Sequence, residues 1–337
     1  MRVDLIIQPH LSADEFAELG QLAESYGISG VWVSNHLDGR DPFVNFVPMA
    51  ERTKTLCMGP TALSPYEEHP MQMAKLLMTL NEISNGRAQV AVGGGGGTID
   101  SMGKKSERMV RAVRECLEML DLARSSGRVS YDGEIFKMQG LNTSWAKAPP
   151  PAIYGAANGE QMLRMSARYA DGVMTSDFTV DRLRWAREHM DPVLDETGRD
   201  KNTYPLLNFW ATHIKPTREE AMAEARFYLM ARGTIWAPYI HDVLDPDEVA
   251  EIARHYPAFI KSYRKTDDIK GPPRELVDKI VERGVTACAA DDLDAQIERF
   301  REMRAAGATG VVLCLYNDPA YAIRVIGERV VPALNDI

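Results

Sequence analysis

Cysteine is scarce in this chain. It carries four in 337 residues, Cys57, Cys116, Cys288 and Cys314. None forms a Cys-x-x-Cys pair and no Cys/His cluster has zinc spacing. A disulfide scaffold is excluded, and four reduced thiols in a cytoplasmic protein are expected. Long apolar runs are missing as well, since nothing approaches the ~18 residues of a membrane span. The first ten residues hold one basic residue and a short apolar stretch broken by Gln8 and Pro9. That is too little for a signal peptide and enough for a first strand. Positive charge is in deficit: Lys and Arg number 39 against 48 Asp and Glu, a net charge of −9. Such a chain repels phosphate backbones, so nucleic acid is not an expected partner. An anionic cofactor must then find local backbone donors or a helix N-terminus. No Gly-x-Ser-x-Gly, no Ser-His-Asp spacing and no Gly-Lys-Ser/Thr after a glycine run occurs, which removes serine-hydrolase and P-loop readings.

What is present is alternation. Hydrophobic residues make up 45% of the chain, ordinary for a protein with a large core. Apolar strand-like segments cover 3–7, 31–34, 55–63, 88–92, 152–156, 172–175, 206–214 and 310–315. Helical periodicity lies between them, over 70–83, 107–123, 161–170, 181–196, 217–230, 292–306 and 319–334. The first helix follows Ser12, with Glu15 completing a capping box, and stops at Gly27. Strands alternating with helices imply a parallel sheet. Eight such units predict a (β/α)8 TIM-type barrel, a single domain over 1–337. Two segments exceed ordinary connections. Residues 132–151 contain an Asp132-Gly133 hairpin turn. Residues 231–274, rich in aromatics, Asp and Pro, read as an insertion before the last strand, a lid or a dimer segment.

A barrel places its site at the C-terminal ends of its strands. After the second strand comes Asn35-His36; a histidine there can donate, accept or titrate near neutral pH, or be an ordinary loop residue. After the third come Thr61-Ala62-Leu63-Ser64, then Glu67, Glu68 and His69 between two prolines. Adjacent carboxylates usually point to solvent and no second cluster supports them, so no metal site is expected. After the fourth come five glycines, Gly93 to Gly97, which let a ligand approach the backbone closely and leave N–H groups free. After the fifth, Ala157-Asn158-Gly159 leads into a helix, a ready phosphate site. The sixth strand ends in Thr175 and Ser176, two further hydroxyls. His10 and His213 near strand ends, and Trp210 and Trp236, are weaker candidates for pocket walls.

Five segments, VWVSNHL (31–37), SPYEEHP (64–70), TLNEISNGRAQVAVGGG (79–95), IYGAANGEQMLRMSARYADGVM (153–174) and AGATGVVL (306–313), occur in this order. Together they resemble the luciferase-like flavin oxidoreductase family, which includes the coenzyme F420-dependent reductases. The resemblance spans nearly the whole chain and implies a barrel holding a deazaflavin, F420, or alternatively FMN, at its C-terminal face. It places the ring on a bulge after the third strand, often at a non-prolyl cis peptide, here Thr61-Ala62, with Ser64 and Gly93, Gly94 and Gly95 nearby. It places the phosphate at Ala157, Asn158, Gly159 and Thr175, and His36 beside the ring as the candidate catalytic residue. Asn35 stands where the family often has Asp, so His36 lacks that carboxylate partner. Gly96 and Asp177-Phe178 replace the acid and the lysine of the sugar-phosphate dehydrogenases, which argues against a phosphorylated sugar. SPYEEHP is similar to the form seen in methylene-tetrahydromethanopterin reductase-like members, which favours F420 hydride transfer on a small organic substrate. An FMN monooxygenase fed by a separate flavin reductase, and a non-catalytic flavin-binding barrel, are the alternatives. A homodimer is expected.

Overall fold

The computed structural model describes residues 1–125 and 127–335. Its strands are β1 (Arg2–Ile6), β2 (Gly30–Val33), β3 (Cys57–Pro60), β4 (Gln89–Val92), β5 (Arg128–Asp132), β6 (Lys137–Asn142), β7 (Ala152–Ala156), β8 (Gly172–Ser176), β9 (Leu206–Lys215), β10 (Thr286–Ala289) and β11 (Gly310–Cys314). Eight of them run parallel in the order β3-β2-β1-β11-β9-β8-β7-β4. The ring closes between its two ends through bridges Met58↔Ala88 and Leu63↔Val92. Both faces of these strands are covered, so they read as continuous apolar runs: β2, β4 and β11 are buried at every residue. Closure needs Gly59, where an added Cβ would fall 1.6 Å from the Gln89 carbonyl oxygen.

The outer helices are α1 (Ala13–Ser25), α2 (Val47–Arg52), α3 (Pro70–Ile83), α4 (Gly97–Ser101), α5 (Met109–Ser125), α6 (Glu160–Tyr169), α7 (Val180–Glu196), α8 (Arg218–Tyr228), α9 (Pro246–Ala253), α10 (Tyr256–Ser262), α11 (Arg274–Gly284), α12 (Asp294–Ala305), α13 (Pro319–Val325) and α14 (Val331–Asn335). Helix α1 begins at the Ser12–Glu15 capping box and buries Phe16, Ala17, Gly20 and Ala23 against the barrel. Each large side chain buried in this way contributes about 1.5–3 kcal/mol.

Several local expectations are corrected. Strand β10 has no counterpart in the sequence reading. Strand β9 is long enough for Leu207–Ala211 to pair with β11 while Thr212–Lys215 pair with β10. The last glycine of the run opens α4 instead of continuing the loop. The closing helix is interrupted by a wider turn at Ile326–Val330. The 231–274 insertion is a string of short helical pieces. The Asp132-Gly133 hairpin is present: β5 and β6 pair antiparallel. The buried Glu115 carboxylate of α5 holds its turn, accepting the amides of Glu134, Ile135 and Phe136 at 2.9–3.0 Å.

The two poles differ in chemistry. Near the strand starts, the Arg2 guanidinium grips Asp4 at 2.8 Å and donates to Gln89 at 2.9 Å and the Tyr154 hydroxyl at 3.1 Å. Trp32 Nε1 donates to Asp4 at 2.7 Å. This hydrogen-bonded network plugs the barrel's bottom and leaves Gln89 Nε2 buried without a partner. The opposite pole is open. Among the described residues no helix is long and apolar enough to cross a membrane.

Candidate active site

At the C-terminal pole the strand ends enclose a cavity of about 520 Å³. Its walls include Thr61, Ala62, Gly93, Gly94, Gly95, Ala157, Asn158, Gly159 and Thr175, brought together from β3, β4, β7 and β8. The Thr61-Ala62 peptide bond is cis. The segment after β3 is stitched to β4, with Leu63 N donating to Ala91 O (2.9 Å) and Gly93 N to Leu63 O (2.8 Å). The floor is made of small residues. A Cβ added at Gly93 would sit 3.2 Å from the Cβ atoms of both Ala62 and Ala156, and Gly95 holds φ +85°, a conformation suited to glycine.

The candidates divide in role once partners are visible. Ser64 is not on the cavity wall; it is buried, with its hydroxyl on the Gly94 carbonyl at 3.3 Å. Asn158 spends its side chain on the end of β8, accepting from Ser176 N at 2.9 Å and donating to Ser176 O at 3.4 Å. The Thr175 hydroxyl donates to Asn208 Oδ1 at 3.0 Å. These two side chains position the turn, and the donors left for an anion are main-chain groups. Gly159 caps α6 with extended backbone and no side-chain cap, and a Cβ built there meets nothing within 4 Å. The first-turn amides of α6 therefore open onto the cavity edge with the positive end of the helix dipole.

His36 is not in this cavity. It lines a second chamber of about 300 Å³, which shares Ser34 and Phe209 with the first. Burial pushes the His36 imidazole below its ordinary range; Asp38 opposes that shift, and Arg232 and Arg264 reinforce it. Asp38 is itself tied to Arg264 at 2.9 Å. Asn35 turns away, donating to Glu67 Oε2 at 3.0 Å, and burial raises the Glu67 carboxyl. Among the described residues no group of three or more His, Cys, Asp or Glu is placed to hold a metal ion.

Three further residues shape the second chamber without having been singled out: Phe209, Arg232 and Tyr316. Tyr316 follows the last barrel strand, so the rule of looking just past each strand finds it. Phe209 lies inside a strand and Arg232 lies in the insertion, and neither carries a local signal. His10 lines this chamber too. His213 is buried behind it, bound to Glu224 at 2.8 Å and stacked on Tyr316. Trp210 is fully buried, its indole N–H on Thr286 at 3.1 Å, and Trp236 is exposed; neither lines a chamber.

Residues 1–310 match the model of the luciferase-like monooxygenase family. The chain belongs to that family. The 5,10-methylenetetrahydromethanopterin reductase of Archaeoglobus fulgidus is 26% identical to this luciferase-like protein over 339 residues, covering 99% of this chain and 100% of the relative. The F420-dependent glucose-6-phosphate dehydrogenase of Mycolicibacterium fortuitum is 26% identical over 300 residues, 80% and 85% of the two chains. Among solved structures, the coenzyme F420-dependent tetrahydromethanopterin reductase of Methanopyrus kandleri superposes with a TM-score of 0.81 at 21% identity, covering 98% of both chains. That likeness is one of fold, and it includes the parallel barrel.

Proposed function

We propose that this luciferase-like barrel is an oxidoreductase that binds coenzyme F420 in the larger cavity and exchanges hydride with a small organic substrate in the second chamber. The observation that carries this reading is the small-residue cavity at the strand ends, adjoining a separate chamber that holds His36. The fit to a flat ring is steric: Ala62, Gly93 and Ala156 form a cradle that one added Cβ at Gly93 would crowd. Bound F420 supplies a two-electron hydride donor or acceptor, and the protein positions it. Ala62 and Gly93 to Gly95 form the floor under the ring. Gly159 and the first-turn amides of α6 hold the phosphate, with Asn158 and Thr175 bracing that turn. His36, held neutral by burial, donates or accepts one hydrogen bond at the junction and moves a proton there without standing as a permanent cation. Phe209 and Ser34 line both compartments, which adjoin there.

The relative named as F420-dependent supports this cofactor over FMN. An FMN monooxygenase is the second reading. It is supported by the family model's own description and by a fold likeness, TM-score 0.67 at 17% identity over 98% of both chains, to the FMN-bound oxygenating component of 3,6-diketocamphane monooxygenase from Pseudomonas putida. The same proposal takes the chain as one domain acting as a cytoplasmic homodimer with a separate reductase to recycle its cofactor. Two observations support its remaining parts. A surface groove between Phe43, Val44, Val47 and the face of α3, with Val44 exposed, suits a second copy. The 231–274 insertion contributes Arg232, Tyr263 and Arg264 to the second chamber, as a lid does.

Thermal unfolding with each cofactor tests the choice. A ligand at a hundred times its Kd stabilises the native state by about 2.7 kcal/mol, so F420 raises Tm and FMN at equal concentration does so less. A larger shift with FMN, with bands near 370 and 450 nm in the purified protein in place of one near 400–420 nm, overturns the F420 reading (approximate positions for the cofactors themselves). No shift with either cofactor overturns both cofactor readings.

A further inference from the structure

The second chamber contains a cation whose buried hydrogen-bond donors the protein does not satisfy. Arg232 is 9% exposed, and its Nε and Nη1 are buried with no hydrogen-bond partner. Asp177 Oδ1, itself buried without a hydrogen-bond partner, forms an ion pair with Nη1 at 3.7 Å, beyond hydrogen-bond reach. Its other oxygen is taken by the Gly233 amide at 2.8 Å and the Ser176 hydroxyl at 3.3 Å. The Tyr316 hydroxyl, also buried, lacks a partner too. Buried donors of this kind are costly unless an acceptor reaches them, and both side chains line the chamber.

The charge of the walls points the same way. Among the described residues, the two chambers together present Arg232 and Arg264 and a single carboxylate, Asp38. Asp38 is already bound to Arg264. Asp177 offsets the charge of Arg232 from outside the walls and leaves its donors open. The rest of the second chamber's lining combines the polar side chains of Gln8, His10, Ser34 and His36 with flat aromatic faces: the guanidinium lies 5.0 Å over the Phe209 ring, and Tyr228 and Tyr316 stack at 4.4 Å.

We propose that Arg232, with the Tyr316 hydroxyl, binds the carboxylate of a small substrate with a flat unsaturated body, so that the second chamber selects organic acids over their neutral analogues. A guanidinium fork matches the two oxygens of a carboxylate, and aromatic walls cover a flat body. This deepens the reading of the chamber as the substrate side and rests on it. The test begins without any variant. The purified, cofactor-free protein is titrated calorimetrically with benzoate and crotonate and with their amides. At least one acid binds about tenfold or more tightly than its amide. That preference is lost in Arg232→Met and partly restored in Arg232→Lys, while both variants keep F420 affinity within about twofold of the parent, since Arg232 is not on the cofactor cavity. Equal affinity for acids and amides, no binding of either acid, or unchanged acid affinity in Arg232→Met overturns the proposal. Titration of the parent protein with F420 is read separately: failure there removes the cofactor reading, and the acid-against-amide comparison still decides this one.

Discussion

His36 shows how one side chain's role depends on its surroundings. Its imidazole is lowered first by burial, then by Arg232 and Arg264, against the pull of Asp38. The neutral form therefore persists to the acid side of its ordinary value near 6.5. If His36 exchanges a proton at the ring, its acid limb in kcat/KM lies below about pH 6.5. His36→Asn removes that limb and lowers turnover on the order of 100-fold, with near-normal F420 affinity. Full turnover in His36→Ala and His36→Asn leaves it a loop residue. Stability carries the same sign. A histidine whose folded pKa is depressed binds fewer protons folded than unfolded, so stability is lost as pH falls through 6.5. Buried His213 shifts the same way, chiefly by desolvation. Tm measured at pH 7.5 and 5.5 falls on acidification, and by less in His36→Asn.

At the scale of elements, the junction of β7 and α6 joins sequence to function most directly. Asn158 clamps the end of β8, and Gly159 presents the start of α6 to open space. Gly159 has φ −104° and ψ 155°, extended backbone that valine adopts readily. The Cβ of Gly159→Val therefore meets no protein atom within 4 Å, and the substitution costs the fold about 1 kcal/mol or less, but its branched side chain occupies the approach to the helix amides. F420 affinity drops at least tenfold, on the order of one strong charge-assisted contact. Unchanged affinity in a fluorescence titration puts the phosphate elsewhere. The end of β9 is the contrasting case. It leaves the barrel to pair with β10 and frames Trp210, so it stabilises the fold and takes no part in the site.

For the molecule as a whole, the barrel divides its labour by pole. The bottom network of Arg2, Asp4, Trp32, Gln89 and Tyr154 is closely hydrogen-bonded, with Gln89 Nε2 left without a partner, and lies across the barrel from the cavity. Asp4 is fully buried, so Asp4→Ala leaves the Arg2 fork and the Trp32 N–H without their acceptor. It destabilises the protein by about 3 kcal/mol in urea unfolding, while the fraction that folds keeps its F420 affinity. A variant that lost cofactor affinity without losing stability contradicts this division. The top keeps its unsatisfied groups, Arg232 and Tyr316 among them, as expected where a fold holds polarity in reserve for a ligand.

The alternation of short apolar runs with capped amphipathic helices was enough to read the eight-stranded barrel, and the strand ends pointed to Thr61-Ala62, Gly93 to Gly95 and Ala157 to Gly159. These are local properties: a period, a cap, a turn residue just past a strand, each decided within a few neighbours. Partner choice is not local. That Thr175 gives its hydroxyl to Asn208, that Ser64 lies behind the wall it was expected to form, and that His36 faces a separate chamber all depend on register between strands far apart in sequence. Strand β10 was missed because four residues carry too little period to separate them from a loop. Arg232 was missed because an arginine in an irregular insertion looks like any solvated charge. Only the packing of that insertion over Phe209 buried it and withheld its partners.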